Sequence, residues 1–265
     1  MNNHEIDYKL YGDDMQFVEV ELDPNETAIA EAGSLMMMDE AIKMETVFGD
    51  GSRSGGGGLM GKLMGAGKRL LTGESLFMTT FTNVGHGKQH VSFAAPYPGK
   101  IIPMDLSIYN GKIICQKDAF LAAAKGVSVG IEFQRKIGTG FFGGEGFIMQ
   151  KLEGDGLAFI HAGGTIKKVD LQPGQKLLVD TGCLVAMTSN VDYDIQAVSG
   201  IKTALFGGEG IFLASLRGPG TVWIQSLPFS RLASRVFAAA PVTQGGGGQN
   251  AGEGGIGGLF NMFND

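Results

Sequence analysis

Three glutamates sit in nearly identical settings, Gly73-Glu74-Ser75-Leu76, Gly144-Glu145-Gly146-Phe147 and Gly208-Glu209-Gly210-Ile211. Carboxylates held at equivalent corners could offer oxygen ligands to a hard cation. The architectural alternative has each carboxylate accepting backbone N–H groups in a glycine corner. Recurrence of the motif favours this second role. His86 and His90 have the i, i+4 spacing that serves a metal on a helix. Gly85 and Gly87 flank His86, however, so the segment reads as a hairpin entering a strand. Four residues of extended chain carry the imidazoles about 13 Å apart, which excludes ligation by the pair alone. His161 ends a strand-like run, and Ser92 and Gln225 stand in the matching runs, so a polar surface position is expected for all three. Cys115 and Cys183 lie in apolar runs and read as reduced, buried small hydrophobes.

Two glycine patterns match nucleotide-binding spacings and fail on context. Gly56-x-x-x-x-Gly61-Lys62 continues with Leu63, where a phosphate loop needs Ser or Thr for its magnesium. Gly138-x-Gly140-x-x-Gly143 leads into a strand and offers no helix N-terminus to a pyrophosphate. With 44 glycines in 265 residues, chance matches are expected. No Ser/His/Asp or Cys/His set clusters, so the residues point to no catalytic group, no cofactor and no metal, and a non-enzyme is expected.

The elements that must position these residues are written three times. Val20 to Leu35 reads VELDPNETAIAEAGSL, and Val169 to Leu184 reads VDLQPGQKLLVDTGCL. The middle segment, Met104 to Leu121, is two residues longer at its turn, and each segment is followed by one of the Gly-Glu elements. Repetition of this kind fixes architecture before any single residue does. In the third segment, Lys167–Leu171, Lys176–Asp180 and Cys183–Thr188 read as strands, with Pro173-Gly174 at the first reversal. Val191–Val198 alternates with the period of a half-buried strand. Low charge (18%) and abundant glycine suit short strands joined by tight turns. The expectation is an all-β chain of three tandem β-meander repeats, resembling a double-stranded β-helix and arranged about a pseudo-threefold axis. Repeat 1 spans residues 1–97, repeat 2 98–164 and repeat 3 165–228. A short helix follows at 229–240, with Ser230 as N-cap and Phe229, Leu232, Ala233, Val236 and Phe237 on one side. A glycine-rich tail fills 241–265.

The L-x-P-G-Q strand-turn, the F-G-G-E-G elements, the G-G-G-G-L-M-G-K-L-M stretch and the tail ending L-F-N-M-F together resemble the family named for altered inheritance of mitochondria protein twenty-four. The resemblance extends over residues 5–240 at least. It implies a fold related to the tryptophan RNA-binding attenuation protein, built three times. It carries over no catalytic residue. It also links the chain to a fungal relative associated with mitochondrial inner-membrane organisation.

What the repeat does not explain is an insert at 49–70 and the tail. Corner leucine to Gly-Glu glycine is 38 residues in repeat 1 (35 to 73) against 24 in repeat 3 (184 to 208), about fourteen extra. On a helix, Leu59, Met60, Leu63, Met64, Leu70 and Leu71 form one stripe, with Lys62, Lys68 and Arg69 off it. Leu259, Phe260, Met262 and Phe263 give the tail a second apolar cluster. The stripe could cap the β assembly, lie in a membrane interface or take a partner groove. The expected function is a non-enzymatic β scaffold contacting a protein partner or a membrane surface, with homo-oligomers open to it. The alternatives are RNA binding by fold analogy, which a net charge of −6 disfavours, and a small-ligand binder or enzyme with a pocket between repeats. The N-terminus lacks a basic and apolar leader, which points to a cytoplasmic protein with peripheral membrane attachment.

Overall fold

The computed structural model describes residues 3–31, 33–48, 77–135, 147–198 and 211–240. The first strands are β1 (Asp7–Tyr11), β2 (Phe17–Leu22), β3 (Thr27–Glu31), β4 (Leu35–Met38), β5 (Ile42–Phe48), β6 (Phe77–Asn83) and β7 (Gln89–Ala94). They are followed by β8 (Gly99–Asp105), β9 (Lys112–Gln116), β10 (Phe120–Ala124), β11 (Ser128–Arg135), β12 (Phe147–Glu153) and β13 (Leu157–Gly163). The last are β14 (Ile166–Leu171), β15 (Lys176–Asp180), β16 (Leu184–Thr188), β17 (Asp192–Val198), β18 (Ile211–Arg217) and β19 (Gly220–Gln225), after which comes helix α1 (Phe229–Ala239). The described part is therefore mostly β, with one short C-terminal helix.

Local chemistry accounts for many of these boundaries. The reversal between β14 and β15 uses Gly174 at φ 79°, a left-handed position that a side chain would strain. Gln175 closes this turn by donating its N–H to the Gln172 carbonyl at 2.9 Å. In β2 the burial alternates residue by residue, with Val18, Val20 and Leu22 fully buried, as a strand with one face on the core requires. The helix begins at Phe229, as the sequence suggests, but its N-cap lies two residues before Ser230. Pro228 holds the N-cap position, and Ser230 lies inside the first turn, its carbonyl accepting the Ser234 hydroxyl at 2.8 Å. No residue of α1 is buried, and Phe229, Val236 and Phe237 are exposed.

The strands form antiparallel sheets in the orders β1-β2-β7-β4, β5-β6-β3-β10-β13-β8, β11-β12-β9-β16-β19-β14 and β15-β18-β17. Each six-stranded sheet is held together at its middle by one pair, β3–β10 in the first and β9–β16 in the second. Register corrects one detail of the sequence alignment. A bulge falls between Leu35 and Met37, between Phe120 and Ala122, and between Leu184 and Ala186. Phe120, not Leu121, thus stands where Leu35 and Leu184 stand, and the middle segment is one residue longer rather than two.

Three apolar clusters fill the space between sheets. The largest runs from Ile29 and Met78 through Met104, Ile113, Cys115 and Leu152 to Val185 and Trp223. The second gathers Val18, Phe81, Phe93, Leu121 and Phe159, and the third Phe147, Met149, Leu184, Leu216 and Val222. Each draws on strands far apart in sequence, so burial here is a consequence of sheet pairing rather than of local pattern.

Candidate functional site

The glutamates Glu74, Glu145 and Glu209, both glycine patterns, the stripe from Leu59 to Leu71 and the tail cluster Leu259, Phe260, Met262 and Phe263 lie outside the described residues. The remaining chemistry-bearing side chains fall into three places.

The first is a buried polar node between β13 and β19. His161 is 2% and Gln225 5% exposed, which overturns the surface role expected for them. The corresponding residue on β7 is Ala94, not Ser92. His161 pairs with Ile101, Gln225 with Ile166 and Ala94 with Phe17, each at the matching level of its hairpin. Ser92 instead stands level with Phe159 and Trp223, and all three are buried. Gln225 is fully engaged. Its Oε1 accepts the Gly163 N–H at 2.7 Å and its Nε2 donates to the Gly182 carbonyl at 2.8 Å. This one amide therefore ties β13 to the corner before β16. The His161 ring lies edge-on to Tyr97 with centroids 4.4 Å apart, and both its nitrogens are buried without a well-formed hydrogen bond. Burial drives its pKa down to about 4, against a weaker pull from the Tyr97 backbone, so the imidazole is neutral at physiological pH. The same burial raises the Tyr97 phenol to about 12. The imidazole and the phenol in this apolar seam are thus both uncharged at physiological pH.

The second place is the seam at the end of β3. Burial, reinforced by Asp118 and opposed by Lys117, raises the Glu31 carboxyl to about 7. Burial and the Glu31 charge push the nearby Cys115 thiol up to about 12, which removes thiolate chemistry at neutral pH. Both cysteines are free, as expected, but only Cys115 is buried. Cys183 is half-buried in a 3-10 corner, Thr181–Cys183, rather than in a strand. Its pKa is raised by burial and by Asp180, against the neighbouring Arg231 guanidinium.

The third place is on the surface beside β4. The Asp39 carboxylate accepts the His90 backbone N–H at 2.7 Å and contacts the His90 Nδ1 at 3.1 Å. His90 Nε2 lies 3.3 Å from Glu21, which also pairs with Lys88. Partial burial lowers the His90 pKa, but the hydrogen bonds to Asp39 and Glu21 outweigh it and the net shift is upward. His86 and His90 flank a hairpin strand start as the glycines imply, and among the described residues no group of three His, Cys, Asp or Glu is placed to hold a metal. Next to His90 is a shallow hollow of about 170 Å³ lined by Glu19, Met37, Met38, Asp39 and Ser92. Met36, Met37 and Met38 are 51%, 48% and 42% exposed. Sequence reading passed over this strip, although Leu-Met-Met-Met is an apolar run without the polar alternation that a solvent-facing strand needs.

Among the described residues no helix is long and apolar enough to cross a membrane. A family model described as mitochondrial biogenesis AIM24 matches residues 8–227. An uncharacterised protein of Streptococcus pyogenes serotype M6 is 32% identical over 234 residues, covering 86% of this chain and 89% of that protein. A crystal structure of a protein from Streptococcus pyogenes aligns with a TM-score of 0.68 at 26% identity, covering 88% of this chain and 98% of the other.

Proposed function

The chain belongs to the mitochondrial biogenesis AIM24 family, and from that premise we propose that it is a non-enzymatic β scaffold built of three equivalent units that presents surfaces to other macromolecules. The units are β2–β7, β8–β13 and β14–β19, with boundaries close to residues 97 and 164. The observation that carries the reading is the way one unit is welded to the next. The third strand of the second unit pairs with the second strand of the first through Ala122–Ala30, Ala123–Ile29 and Ala124–Ala28. The third unit repeats this register on the second, through Ala186–Cys115, Met187–Ile114 and Thr188–Ile113. The bulge that recurs in β4, β10 and β16 supports the same equivalence, and threefold arrangement of the units is its natural extension.

Chemistry-bearing groups inside this framework are committed to holding it. Gln225 bridges strands, Cys115 is a protonated core thiol, and His161 is a neutral seam residue. A scaffold needs such groups inert and its surfaces available.

Lysine crosslinking of the full chain in its own cells, with peptide mapping, tests the reading. Ultraviolet crosslinking to RNA and vesicle flotation run alongside. Reproducible protein–protein crosslinks are expected. Salt-sensitive RNA adducts, or a small molecule that copurifies stoichiometrically, would overturn the scaffold reading in favour of RNA or ligand binding. For the membrane form of the proposal, the chain floats with vesicles and a variant lacking 55–71 and 245–265 does not. Equal flotation of the two, or none, removes it.

A further inference from the structure

Two strand edges are open at opposite ends of the strand order. β4 ends the sheet β1-β2-β7-β4, and β15 ends the sheet β15-β18-β17; among the described residues no strand pairs with the outer edge of either. These are not arbitrary edges. β4 corresponds to β10 and β16, whose outer edges pair with β3 and β9. β15 corresponds to β3 and β9. The chain thus ends, on one side, in the strand that accepts a junction and, on the other, in the strand that supplies one.

Burial tells the same story residue by residue. In the inner strands β10 is buried throughout and β16 is buried at four of its five residues, whereas in β4 no residue is buried. Met37 and Met38 are exposed where Ala122, Ala123, Ala186 and Met187 are fully buried. Leu178 on β15 is 51% exposed where Ile29 and Ile114 are 0% and 3%. Natural edge strands are protected by charges, prolines or bulges that turn the edge away. The β4 bulge lies on its pairing with β7 and is shared with the inner strands, and neither β4 nor the Leu177-Leu178-Val179 stretch of β15 carries a charge or a proline.

We propose that β15 of one copy of this chain pairs antiparallel with β4 of a second copy, head to tail. The two partial sheets then merge into one of seven strands, β17-β18-β15-β4-β7-β2-β1. Carrying the inner register across gives Val179 opposite Met37, Leu178 opposite Met38 and Leu177 opposite Asp39. One step further, Lys176 meets Glu40, so the charges at the end of the new junction are complementary. The contact is heterologous, because each copy offers a different edge. It propagates into a ring or a filament rather than stopping at a twofold dimer. This goes beyond the scaffold reading, which does not require self-association.

The test uses the full chain and two edge variants, Leu178→Lys and Met38→Lys. Both positions are exposed, so each variant should keep the circular dichroism spectrum and melting curve of the parent. In sedimentation velocity the parent is expected at twice the single-chain mass or more. Each variant alone is expected as a single chain. Mixed in equal amounts, the variants should give a species of two chains, joined through the intact β4 of one and the intact β15 of the other. A second measurement places Met37→Cys and Val179→Cys together on a Cys183→Ser background, where mild oxidation should yield a ladder of disulfide-linked chains. A parent that is a single chain at every concentration overturns the proposal. So does self-association of either lysine variant alone, an oligomer that forms no 37–179 disulfide, or a 37–179 disulfide confined within single chains. None of these failures would touch the scaffold reading, which stands on the crosslinking to other macromolecules.

Discussion

Replacing Glu31 with Gln should make the protein more stable at pH 8 and leave it nearly unchanged at pH 4.5. Glu31 ends β3, where its backbone carbonyl accepts the Ser34 N–H at 3.3 Å and the Ser34 hydroxyl at 2.8 Å. Its carboxyl is raised from 4.5 to about 7, chiefly by burial and then by Asp118, with Lys117 acting the other way. A raised carboxyl pKa means that the folded state binds the proton more tightly than the unfolded state. Stability from this group is therefore fully present below pH 4.5 and is lost as pH rises to about 7. At roughly 1.4 kcal/mol per pKa unit, a shift of this size corresponds to an upper bound of about 3 kcal/mol at pH 8. Gln resembles the protonated acid in shape and cannot ionise, so it escapes the loss. His161 complicates the raw curve, because its depressed pKa makes stability fall as pH drops from 6.5 to about 4, the opposite slope in an overlapping window. The informative quantity is the difference between variant and parent, in which the His161 contribution cancels. Urea unfolding at half-unit steps from pH 4.5 to 8 measures it. The expected difference grows from near zero to as much as about 3 kcal/mol in favour of the variant. A difference that stays flat, or a variant that is weaker at pH 8, would mean that the Glu31 carboxylate is solvated or paired and that the burial argument is wrong.

Gln225→Leu removes two buried bonds at once and leaves the Gly163 N–H and the Gly182 carbonyl without partners. At about 1–3 kcal/mol for each orphaned group, denaturant unfolding should show a loss of roughly 2–4 kcal/mol, the added apolar burial offsetting part of it. A loss below about 1 kcal/mol would show that water replaces the amide. For the thiols, a colorimetric reagent at pH 8 should titrate Cys183 slowly in the folded protein and reach Cys115 only after denaturation, given the burial of the latter. Rapid labelling of both would contradict the core position of Cys115. Gly163→Ala should prevent stable folding, since a Cβ there would run into the Leu227 carbonyl oxygen and meet the Tyr97 ring at 2.7 Å. Expression of the variant and its melting temperature check this, and a melt within a few degrees of the parent would refute it.

Much of the fold was legible in the chain, for local reasons. The Pro173-Gly174 turn, the alternation along Val191–Val198 and the apolar helix after Phe229 are set by residues within one turn or one pleat of each other, and the observed elements fall where these patterns put them. Three recurrences of one strand–turn pattern were visible because repetition needs only the sequence compared with itself. Other features escaped because they are non-local. The surface position expected for His161 and Gln225 was wrong because a polar residue at a strand end looks solvent-facing until another hairpin covers it. The Leu121 alignment was off by one because the bulge is a property of the pair β10–β13, not of β10.

The sequence by itself thus determined the mostly β element types and many of their turns, since these depend on backbone preferences and periodicity over a few residues. Tertiary structure alone decided which edges pair. Ala122–Ala124 and Met36–Met38 occupy corresponding strands and are both apolar, yet the first is sealed against β3 and the second meets solvent. Nothing local distinguishes them. The difference is whether the chain supplies a partner strand, and that is settled only when strands distant in sequence meet and hydrogen-bond.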